Sequence, residues 1–370
     1  MPDQVRVGVI GTSWYADLMH LPNLKSHPGA QLAAICGRNQ ARAQEMAAKY
    51  AIPAVYADYR QMLEQANLDA VVIAVPDDLH YAMTMAALDV GLHVLCEKAL
   101  ALNTQQAQAM AEKANAMRIK HMTFFTYRWE PAFRYVRQLV EQGYIGRPYL
   151  CQFRYLGGYG RNGHYGWRFD AQHGSGILGD LGSHMIDLAR WLVGDITRVS
   201  AHLATLGGRV GPTGQPLSTP ANDSALLALE FGNGSSGAIA VSAMTHMAER
   251  GLHQQLNLYG EAGTLEVDVT FVDTQIRGAR QGQTQFESLT VPDEFWTGVD
   301  RSLPVFDQTI MAFQTQPIGD RQFIDAILAN QPASPNFEDG LKVQEVIDAA
   351  FESHRRGCWV AIGASDEKGE

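Results

Sequence analysis

The sequence predicts an α/β protein with two domains. The first third of the chain alternates short apolar runs with helical segments of about a dozen residues, which is typical of βαβ units and a doubly wound parallel sheet. After about residue 126, apolar runs are separated by turn sequences such as residues 232–235, which favours antiparallel strands. A length of 370 residues suits two domains at roughly 150 residues each. We predict domains over residues 1–126 and 127–370.

The N-terminal domain is expected to contain five parallel strands. Apolar, β-branched runs predict them at residues 5–10, 31–36, 69–75, 92–96 and 120–124. Helices are predicted from the first strand to about residue 26, and at residues 40–50, 79–90 and 104–117. The run 69–75 shows no polar alternation, as expected for a strand that is buried on both faces of a parallel sheet.

The C-terminal domain is expected to be an α/β domain with a large, mostly antiparallel open sheet. Helices are predicted at residues 130–142, 180–193, 317–330 and 337–355, and strands at residues 149–156, 196–204, 224–231, 237–245, 254–259 and 264–269. These helices are enough to cover one face of the sheet only. Because an uncovered apolar face usually marks an interface, we predict a homodimer or a homotetramer.

Composition excludes several classes of protein. Twenty-nine basic against 39 acidic residues give a net charge of −10, which argues against a nucleic-acid partner. The four cysteines are far apart, so we expect neither a disulfide framework nor a metal site, and we expect a reducing compartment. The N-terminus has no signal-peptide pattern, and no apolar stretch approaches the roughly 18 residues of a membrane span. We predict a cytoplasmic protein without a membrane partner.

The first candidate site is the turn between the first strand and the first helix. Gly11, Ser13 and Ala16 occupy the three positions of G-x-G-x-x-G/A, the pattern that brings a dinucleotide pyrophosphate to a helix N-terminus. Ser13 departs from the glycine rule, but its hydroxyl offers a donor to a phosphate oxygen. The N-terminal domain is therefore predicted to be a dinucleotide-binding Rossmann domain. The cofactor contacts predicted in this turn are Gly11, Thr12, Ser13, Trp14 and Tyr15.

The end of the second strand bears on the choice of cofactor. NAD enzymes place an acidic residue there, about twenty positions after the glycine motif, to bind the ribose 2′-hydroxyl. This sequence has Cys36-Gly-Arg-Asn instead, and the guanidinium of Arg38 suits a 2′-phosphate. We predict that NADP(H) is preferred and that NAD(H) is possible. The alternative is that Arg38 is a solvated surface arginine.

Two further strand ends point into the same crevice, where open α/β sheets bind their ligands. Lys98 directly follows the strand at residues 92–96 and is expected to face the crevice. Glu97 either partners this lysine or turns back into the fold. His80 is either a crevice residue or a contact at the start of a helix. The further predicted cofactor contacts are Pro76, His80, Glu97 and Lys98.

A glycine-rich helix in the second domain carries the strongest catalytic candidates. Asp180 is predicted to be its N-cap, and Asp180, His184 and Asp187 fall at i, i+4 and i+7 on one stripe. A carboxylate near an imidazole fixes its tautomer and raises its basicity, which a proton-transferring histidine requires. Spacing alone leaves open a capped helix whose histidine only satisfies its hydrogen bonds at a domain edge.

Several motifs in the same order resemble the Gfo/Idh/MocA oxidoreductases. They are residues 8–16, 93–98, 134–148, 167–170, 174–187 and 259–266, so the resemblance covers nearly the whole chain. It implies a Rossmann domain joined to an α/β domain, acting on sugars, cyclitols and related polyols with NAD or NADP. Two positions depart from the family pattern. Ala99 replaces its proline after the lysine, and Ser13 replaces its middle glycine.

The resemblance also implies roles for three residues. His184 accepts the proton of a substrate hydroxyl, Asp180 orients the imidazole, and Lys98 steadies the developing alkoxide. We name Lys98, Asp180 and His184 as catalytic and also as substrate contacts. Aromatic faces and forked donors suit polyhydroxylated rings. The remaining predicted substrate contacts are Tyr127, Arg128, Tyr165, Trp167, Arg168 and His173.

Two alternative functions are compatible with this fold. One is an NAD-dependent glycoside hydrolase that acts by transient oxidation, and the other is a nucleotide-binding regulatory protein without turnover. Retention of the three catalytic candidates argues against the second alternative. An NAD(P)-dependent oxidoreductase acting on CH–OH groups is the predicted function.

Overall fold

The structure is a computed structural model that describes residues 4–363, and these form two compact units. The first unit runs to Thr126 and also includes Thr297–Ser302 and Asp307–Leu341. The second unit comprises Tyr127–Trp296, Leu303–Phe306 and the chain from Lys342. One boundary between the units falls after Thr126. Residues 297–302 and 307–341, expected in the second domain, belong instead to the first unit.

Among the described residues, the first unit contains a six-stranded parallel sheet with strand order β3-β2-β1-β4-β5-β6. Its strands are β1 (Val5–Ile10), β2 (Ala30–Cys36), β3 (Ala54–Tyr56), β4 (Ala70–Ile73), β5 (His93–Cys96) and β6 (His121–Thr123). The predicted doubly wound Rossmann sheet is confirmed. β3 was not predicted, because it has three residues and all of them are only half-buried.

The helices of the first unit alternate with these strands. A π-helical turn, Ala16–His20, leads into α1 (Leu21–Lys25). The others are α2 (Gln40–Tyr50), α3 (Tyr59–Gln65), α4 (Asp77–Asp89) and α5 (Thr104–Ala116). Helices α2, α3 and α5 each begin after a side chain that accepts a hydrogen bond from the first turn, namely Asn39, Asp58 and Asn103.

The second unit is built on a mixed sheet that has nine strands in residues 4–363. After α6 (Pro131–Glu141) come β7 (Pro148–Gly157), α7 (Ser183–Leu192), β8 (Ile196–Ala204), β9 (Ser224–Phe231), β10 (Ser236–Ser242), β11 (Leu252–Gly260), β12 (Gly263–Thr270), β13 (Thr274–Arg280) and β14 (Glu287–Ser288). The short β15 (Val360–Ala361) pairs with β8. Strands β7 and β10 are parallel, and the other pairs are antiparallel. The predicted large, mostly antiparallel sheet is confirmed.

Burial alternates along the strands of this sheet, as the period of two requires. In β9, Leu227 and Leu229 are buried, whereas Leu226 and Ala228, the residues that precede them, are exposed. Helix α7 contacts β7 of the same sheet.

The helices after the sheet correct one prediction. The chain forms α8 (Val305–Thr315), α9 (Asp320–Leu328) and α10 (Phe337–Arg356) rather than one helix from residue 317 followed by a second. The break before α9 lies at Gly319, whose φ of +57° favours glycine. A Cβ on Gly319 would also lie 2.9 Å from the ring of Phe313. In the described part of the chain, no helix combines the length and the apolar character that a membrane span needs.

Candidate active site

The turn after β1 has the shape that a dinucleotide-binding motif requires. Gly11 has φ +122°, and a Cβ there would lie 2.1 Å from the carbonyl oxygen of Ala74 on the neighbouring strand. No other residue fits this position without moving the backbone. Ala16 is fully buried, which permits the close contact between helix and sheet that the third position of the motif serves.

Ser13 replaces the middle glycine and has a defined local role. Its Oγ accepts a hydrogen bond from the backbone N–H of Ala16 at 3.1 Å, which stabilises the start of the helical segment. Accepting this bond leaves the hydroxyl hydrogen to donate to another group. Ser13 and Trp14 are exposed, and the first amides of a helix have no acceptor within it. These donors, the Ser13 hydroxyl and the first amides of the helix, therefore suit a bound phosphate group.

Arg38 lies at the C-terminal end of β2, at the same edge of the parallel sheet as Gly11. Gly37 before it is buried, and a Cβ there would lie 2.5 Å from Cγ2 of Thr12. Asn39 after it caps α2 by accepting the backbone N–H of Arg42 at 3.1 Å. Gly37 and Asn39 are therefore both required by the local structure, whereas the Arg38 side chain is exposed to solvent.

Lys98 follows β5 in a loop that is held from several sides. The backbone N–H of Glu97 donates to Ile73 of β4 at 3.0 Å, and that of Phe124 donates to Cys96 at 2.9 Å. The peptide bond between Lys98 and Ala99 is cis. Lys98 is half-buried, as expected for a residue at a crevice rather than on an open surface.

Two residues predicted to contact the cofactor form hydrogen bonds within the first unit. His80 is fully buried, with Nδ1 2.8 Å from the carbonyl oxygen of Ala99 and Nε2 2.9 Å from that of Val75. Burial lowers the pKa of His80. Glu97 is also buried and takes the second of its two predicted alternatives, since it turns back into the fold and lies 3.0 Å from Nε2 of His20. Both side chains support the Lys98 loop.

In the second unit, the glycine-rich segment begins its helix earlier than predicted. A π-helical turn, Leu178–Gly182, precedes α7 and contains Asp180, so Asp180 is not the N-cap. The cap comes from a distant part of the chain, because Oδ1 of Asn222 accepts the backbone N–H of Leu178 at 2.9 Å. Gly176, with φ +69°, makes room for this side chain. A Cβ on Gly176 would lie 2.4 Å from the Asn222 amide nitrogen.

Asp180 is placed among polar side chains of the preceding loop. Tyr159 donates its hydroxyl hydrogen to Oδ2 of Asp180 at 2.6 Å. Nε of Arg168 lies 2.9 Å from the same oxygen in an ion pair, and the Arg168 guanidinium lies over the ring of Trp167 at 4.7 Å. The loop between β7 and α7 therefore contributes a tyrosine and an arginine to the carboxylate of the glycine-rich helix.

His184 lies in the first turn of α7 and is buried against aromatic rings. Its ring centroid is 4.5 Å from that of Tyr127 and 6.3 Å from that of Tyr155. The hydroxyls of these two tyrosines are hydrogen-bonded to each other. Burial raises the pKa of Tyr155, and burial together with Asp180 raises the pKa of Tyr159. Both phenols therefore remain protonated near neutral pH and serve as hydrogen-bond donors.

Arg128, a predicted substrate contact, forms an ion pair within the second unit. Its Nε donates to Oδ2 of Asp187 at 2.8 Å, and its Nη2 donates to Oδ1 of Asp187 at 2.6 Å. Both residues are buried, so this bidentate pair ties the segment before α6 to α7. Asp187 is committed to this pair.

The other predicted substrate residues lie in the segment between β7 and α7. Tyr165 is exposed, whereas Trp167, Arg168 and His173 are half-buried. Sequence reasoning missed Tyr155 and Tyr159. Alternation along β7 places Tyr155 on the buried face with Phe153, which was a usable signal. Tyr159 lies in an irregular loop, where no periodicity identifies it.

Together, the turn at Gly11, the parallel sheet and the mixed-sheet unit define the class of NAD-binding Rossmann oxidoreductases. The family model of an oxidoreductase family with an NAD-binding Rossmann fold matches residues 5–124, and the GFO/IDH/MocA C-terminal domain matches residues 133–266. The chain belongs to the Gfo/Idh/MocA family. It is an NAD(P)-dependent oxidoreductase, as the sequence predicts.

Full-length relatives agree with this assignment. An uncharacterized oxidoreductase of Synechocystis is 30% identical over 366 residues, covering 96% of this chain and 95% of that protein. Levoglucosan dehydrogenase of Pseudarthrobacter phenanthrenivorans is 29% identical, covering 89% of this chain and 88% of that protein. A solved structure of levoglucosan dehydrogenase with NADH and levoglucosan has a TM-score of 0.86 at 25% identity and covers 98% of this chain and 100% of that one.

Proposed function

We propose that the protein transfers a hydride between a nicotinamide dinucleotide and a CH–OH or carbonyl carbon of a sugar, cyclitol or related polyol. The full-length similarity to levoglucosan dehydrogenase carries this proposal. Similarity to a D-glucoside 3-dehydrogenase of Escherichia coli and a myo-inositol 2-dehydrogenase of Thermotoga maritima, both 26% identical, supports the same substrate class. In this proposal residues 1–126 bind the dinucleotide and the second unit binds the sugar.

His184 is proposed to move the substrate proton. An imidazole takes up a hydroxyl proton near neutral pH, and burial among tyrosines keeps water away from it. The bound nicotinamide ring supplies or accepts the hydride. In the hydrogen-bonded pair of Tyr127 and Tyr155, one hydroxyl donates to the other, and the hydrogen of the accepting hydroxyl suits an oxygen atom of a polyol.

Lys98 and Asp180 are proposed to supply charge. The ammonium group of Lys98 stabilises negative charge that develops on the reacting oxygen. Asp180 presents a carboxylate, oriented by Tyr159 and Arg168, that favours the protonated form of a nearby imidazole. His80, Glu97 and Arg128 are left out of the proposed ligand contacts because the protein itself engages their polar atoms.

Nicotinamide absorbance tests this function. The purified protein is incubated with NAD⁺ or NADP⁺ and a panel of polyols, aldoses, glycosides and anhydrosugars, and with the reduced cofactors and ketoses. A dehydrogenase changes absorbance in proportion to substrate consumed. A hydrolase releases sugar without net change in absorbance, and a regulatory protein binds nucleotide without turnover. Either of the last two results would contradict the proposal.

We further propose NADP(H) as the preferred cofactor, with NAD(H) accepted. Arg38→Asp is expected to weaken NADP⁺ binding by about 1–3 kcal/mol, the range for loss of a charged hydrogen bond, and to affect NAD⁺ binding less. Titration of both cofactors by intrinsic fluorescence measures the two Kd values. Arg60→Asp, the same charge change at another exposed arginine of the first unit, is the control and should leave the preference unchanged. Equal losses of affinity for NAD⁺ and NADP⁺ in the Arg38 variant would contradict the proposed preference.

We also propose that the protein is a homo-oligomer through the outer face of the nine-stranded sheet. Small residues occupy the middle of this face, where Ala228 of β9 lies opposite Ala238 of β10 and Leu226 lies opposite Ala240. Leu226 is 55% exposed. An exposed apolar patch framed by polar strands is typical of a subunit interface.

Leu226→Glu is expected to convert the oligomer into a 40.6 kDa monomer, because a charge buried in an interface lacks a partner. Light scattering after size exclusion measures the mass at micromolar concentration. Leu206→Glu, at an exposed leucine outside the sheet, should retain the wild-type mass. A wild-type protein that is already monomeric would refute the interface.

A further inference from the structure

His20 occupies an unusual position for a histidine. It is the last residue of the π-helical turn after the Gly11 motif, and it is fully buried. Nδ1 lies 2.7 Å from Oδ1 of Asp320, and Nε2 lies 3.0 Å from Oε1 of Glu97. A neutral imidazole has one N–H, so only the imidazolium donates to both carboxylates. The two carboxylate contacts therefore require His20 to be an imidazolium.

The surroundings of His20 agree with that charge. Burial by itself lowers the pKa of His20, but the carboxylates of Asp320 and Glu97 outweigh burial and raise it to about 10. The rings of Tyr15 and Phe124 pack beside the imidazole, with their centroids 5.8 and 4.6 Å from the centroid of the His20 ring. Nδ2 of Asn23 donates to the second oxygen of Asp320 at 3.1 Å. A buried cation is retained only when it is paired in this way.

The second oxygen of Glu97 extends this network to the proposed catalytic loop. Oε2 of Glu97 accepts the backbone N–H of Lys98 at 3.2 Å. His20 therefore restrains, through one carboxylate, the backbone of the residue whose ammonium group is proposed to act on substrate. His20 also belongs to the helical segment that starts at the cofactor turn.

We propose that His20 is a positioning residue for Lys98. In this inference the imidazolium, anchored on Asp320, holds the Glu97 carboxylate in the one orientation that fixes the Lys98 backbone. Because it names a residue that acts through Lys98, the inference rests on the role of Lys98 in the proposed function. It differs from a merely stabilising role, which predicts lower stability but no specific coupling to Lys98.

A double-mutant cycle on kcat separates these two roles. His20→Gln and Glu97→Gln are each expected to lower kcat by about 10- to 100-fold, the range for a misplaced catalytic group. In a Lys98→Met background, the same substitutions should lower kcat by less than about threefold, because the group they position is already gone. Activity is measured with the best substrate of the panel above, and cofactor Kd and Tm are measured alongside.

His27→Gln is the matched control. His27 is buried in the same unit and lies 3.1 Å from Asp325 of α9, much as His20 pairs with Asp320 of α9. Its replacement should lower Tm without a comparable loss in kcat. Equal kcat losses for His20→Gln with and without Lys98 would overturn the inference and leave the proposed function standing. If Lys98→Met alone leaves kcat unchanged, the role of Lys98 itself is wrong.

A second measurement observes the wild-type protein and requires no substrate. Nitrogen-15 NMR of the imidazole rings at pH 8 should show both nitrogens of His20 in the imidazolium range. His121 accepts the backbone N–H of Phe337 at its Nδ1 and has a pKa that burial lowers, so it should be neutral and provides an internal comparison. Signals are assigned by their loss in His20→Gln or by their shift in Glu97→Gln. A neutral His20 at pH 8 would overturn the inference.

Discussion

His184→Ala is expected to lower kcat on the order of 10²- to 10⁴-fold, the usual contribution of a general acid–base group. The proton of the substrate hydroxyl then has no acceptor held in place, and solvent replaces the imidazole poorly in a buried site. Affinity for the dinucleotide should change by less than about threefold, because the cofactor turn lies at Gly11 in the Rossmann sheet. Steady-state kinetics and cofactor titration measure the two quantities.

His253→Ala is the control for this prediction. His253 is as buried as His184 and also belongs to the second unit, but its Nε2 lies 2.7 Å from Asp268 on the neighbouring strand. Its loss should reduce Tm more than kcat. If His184→Ala instead lowers Tm and leaves kcat within about threefold, His184 is a structural residue of α7 and the proposed proton transfer is wrong.

Lys98→Met is expected to lower kcat by about 10²- to 10³-fold, in the range reported for removal of one group that stabilises a developing oxyanion. Methionine keeps an unbranched apolar stem that is one heavy atom shorter, so the loop packing is retained and Tm should stay close to that of wild type. A larger effect on kcat than on KM is expected, because the charge on oxygen develops in the transition state.

Lys113→Met provides the corresponding control in the first unit. Lys113 is half-buried and pairs with Asp89, yet it lies on α5, away from the sheet edge where the Lys98 loop begins. This variant should retain wild-type kcat. A Lys98→Met enzyme with normal kcat and raised KM would contradict transition-state stabilisation and leave only a binding role for the ammonium group.

Much of the fold follows from local patterns in the sequence. The apolar runs at β1, β2, β4 and β5 are recognisable because buried parallel strands need continuous apolar residues. The strand β3 and the helix α8 escaped prediction, because one is short and half-buried and the other has only a few buried positions. The break at Gly319 depends on the approach of Phe313, which no local pattern contains.

The site residues likewise separate into those that a local pattern identifies and those that depend on distant contacts. Gly11 was identifiable because a conformational requirement acts on a single residue within a strand–turn–helix pattern. The predicted N-cap at Asp180 was wrong, because the residue that caps this helix, Asn222, comes from the far side of a long loop. The bidentate pair of Arg128 with Asp187 is a contact across 59 residues, which no local pattern contains.

By itself, the sequence determined the class of this protein, its two-unit α/β architecture and the residue types at the proposed catalytic positions. It did so because period, turn chemistry and motif spacing all act over short stretches of chain. Only the tertiary structure decided which partners those residues have. His20 meets Glu97 across 77 residues and Asp320 across 300, and a buried charge takes its pKa and its orientation from such distant neighbours.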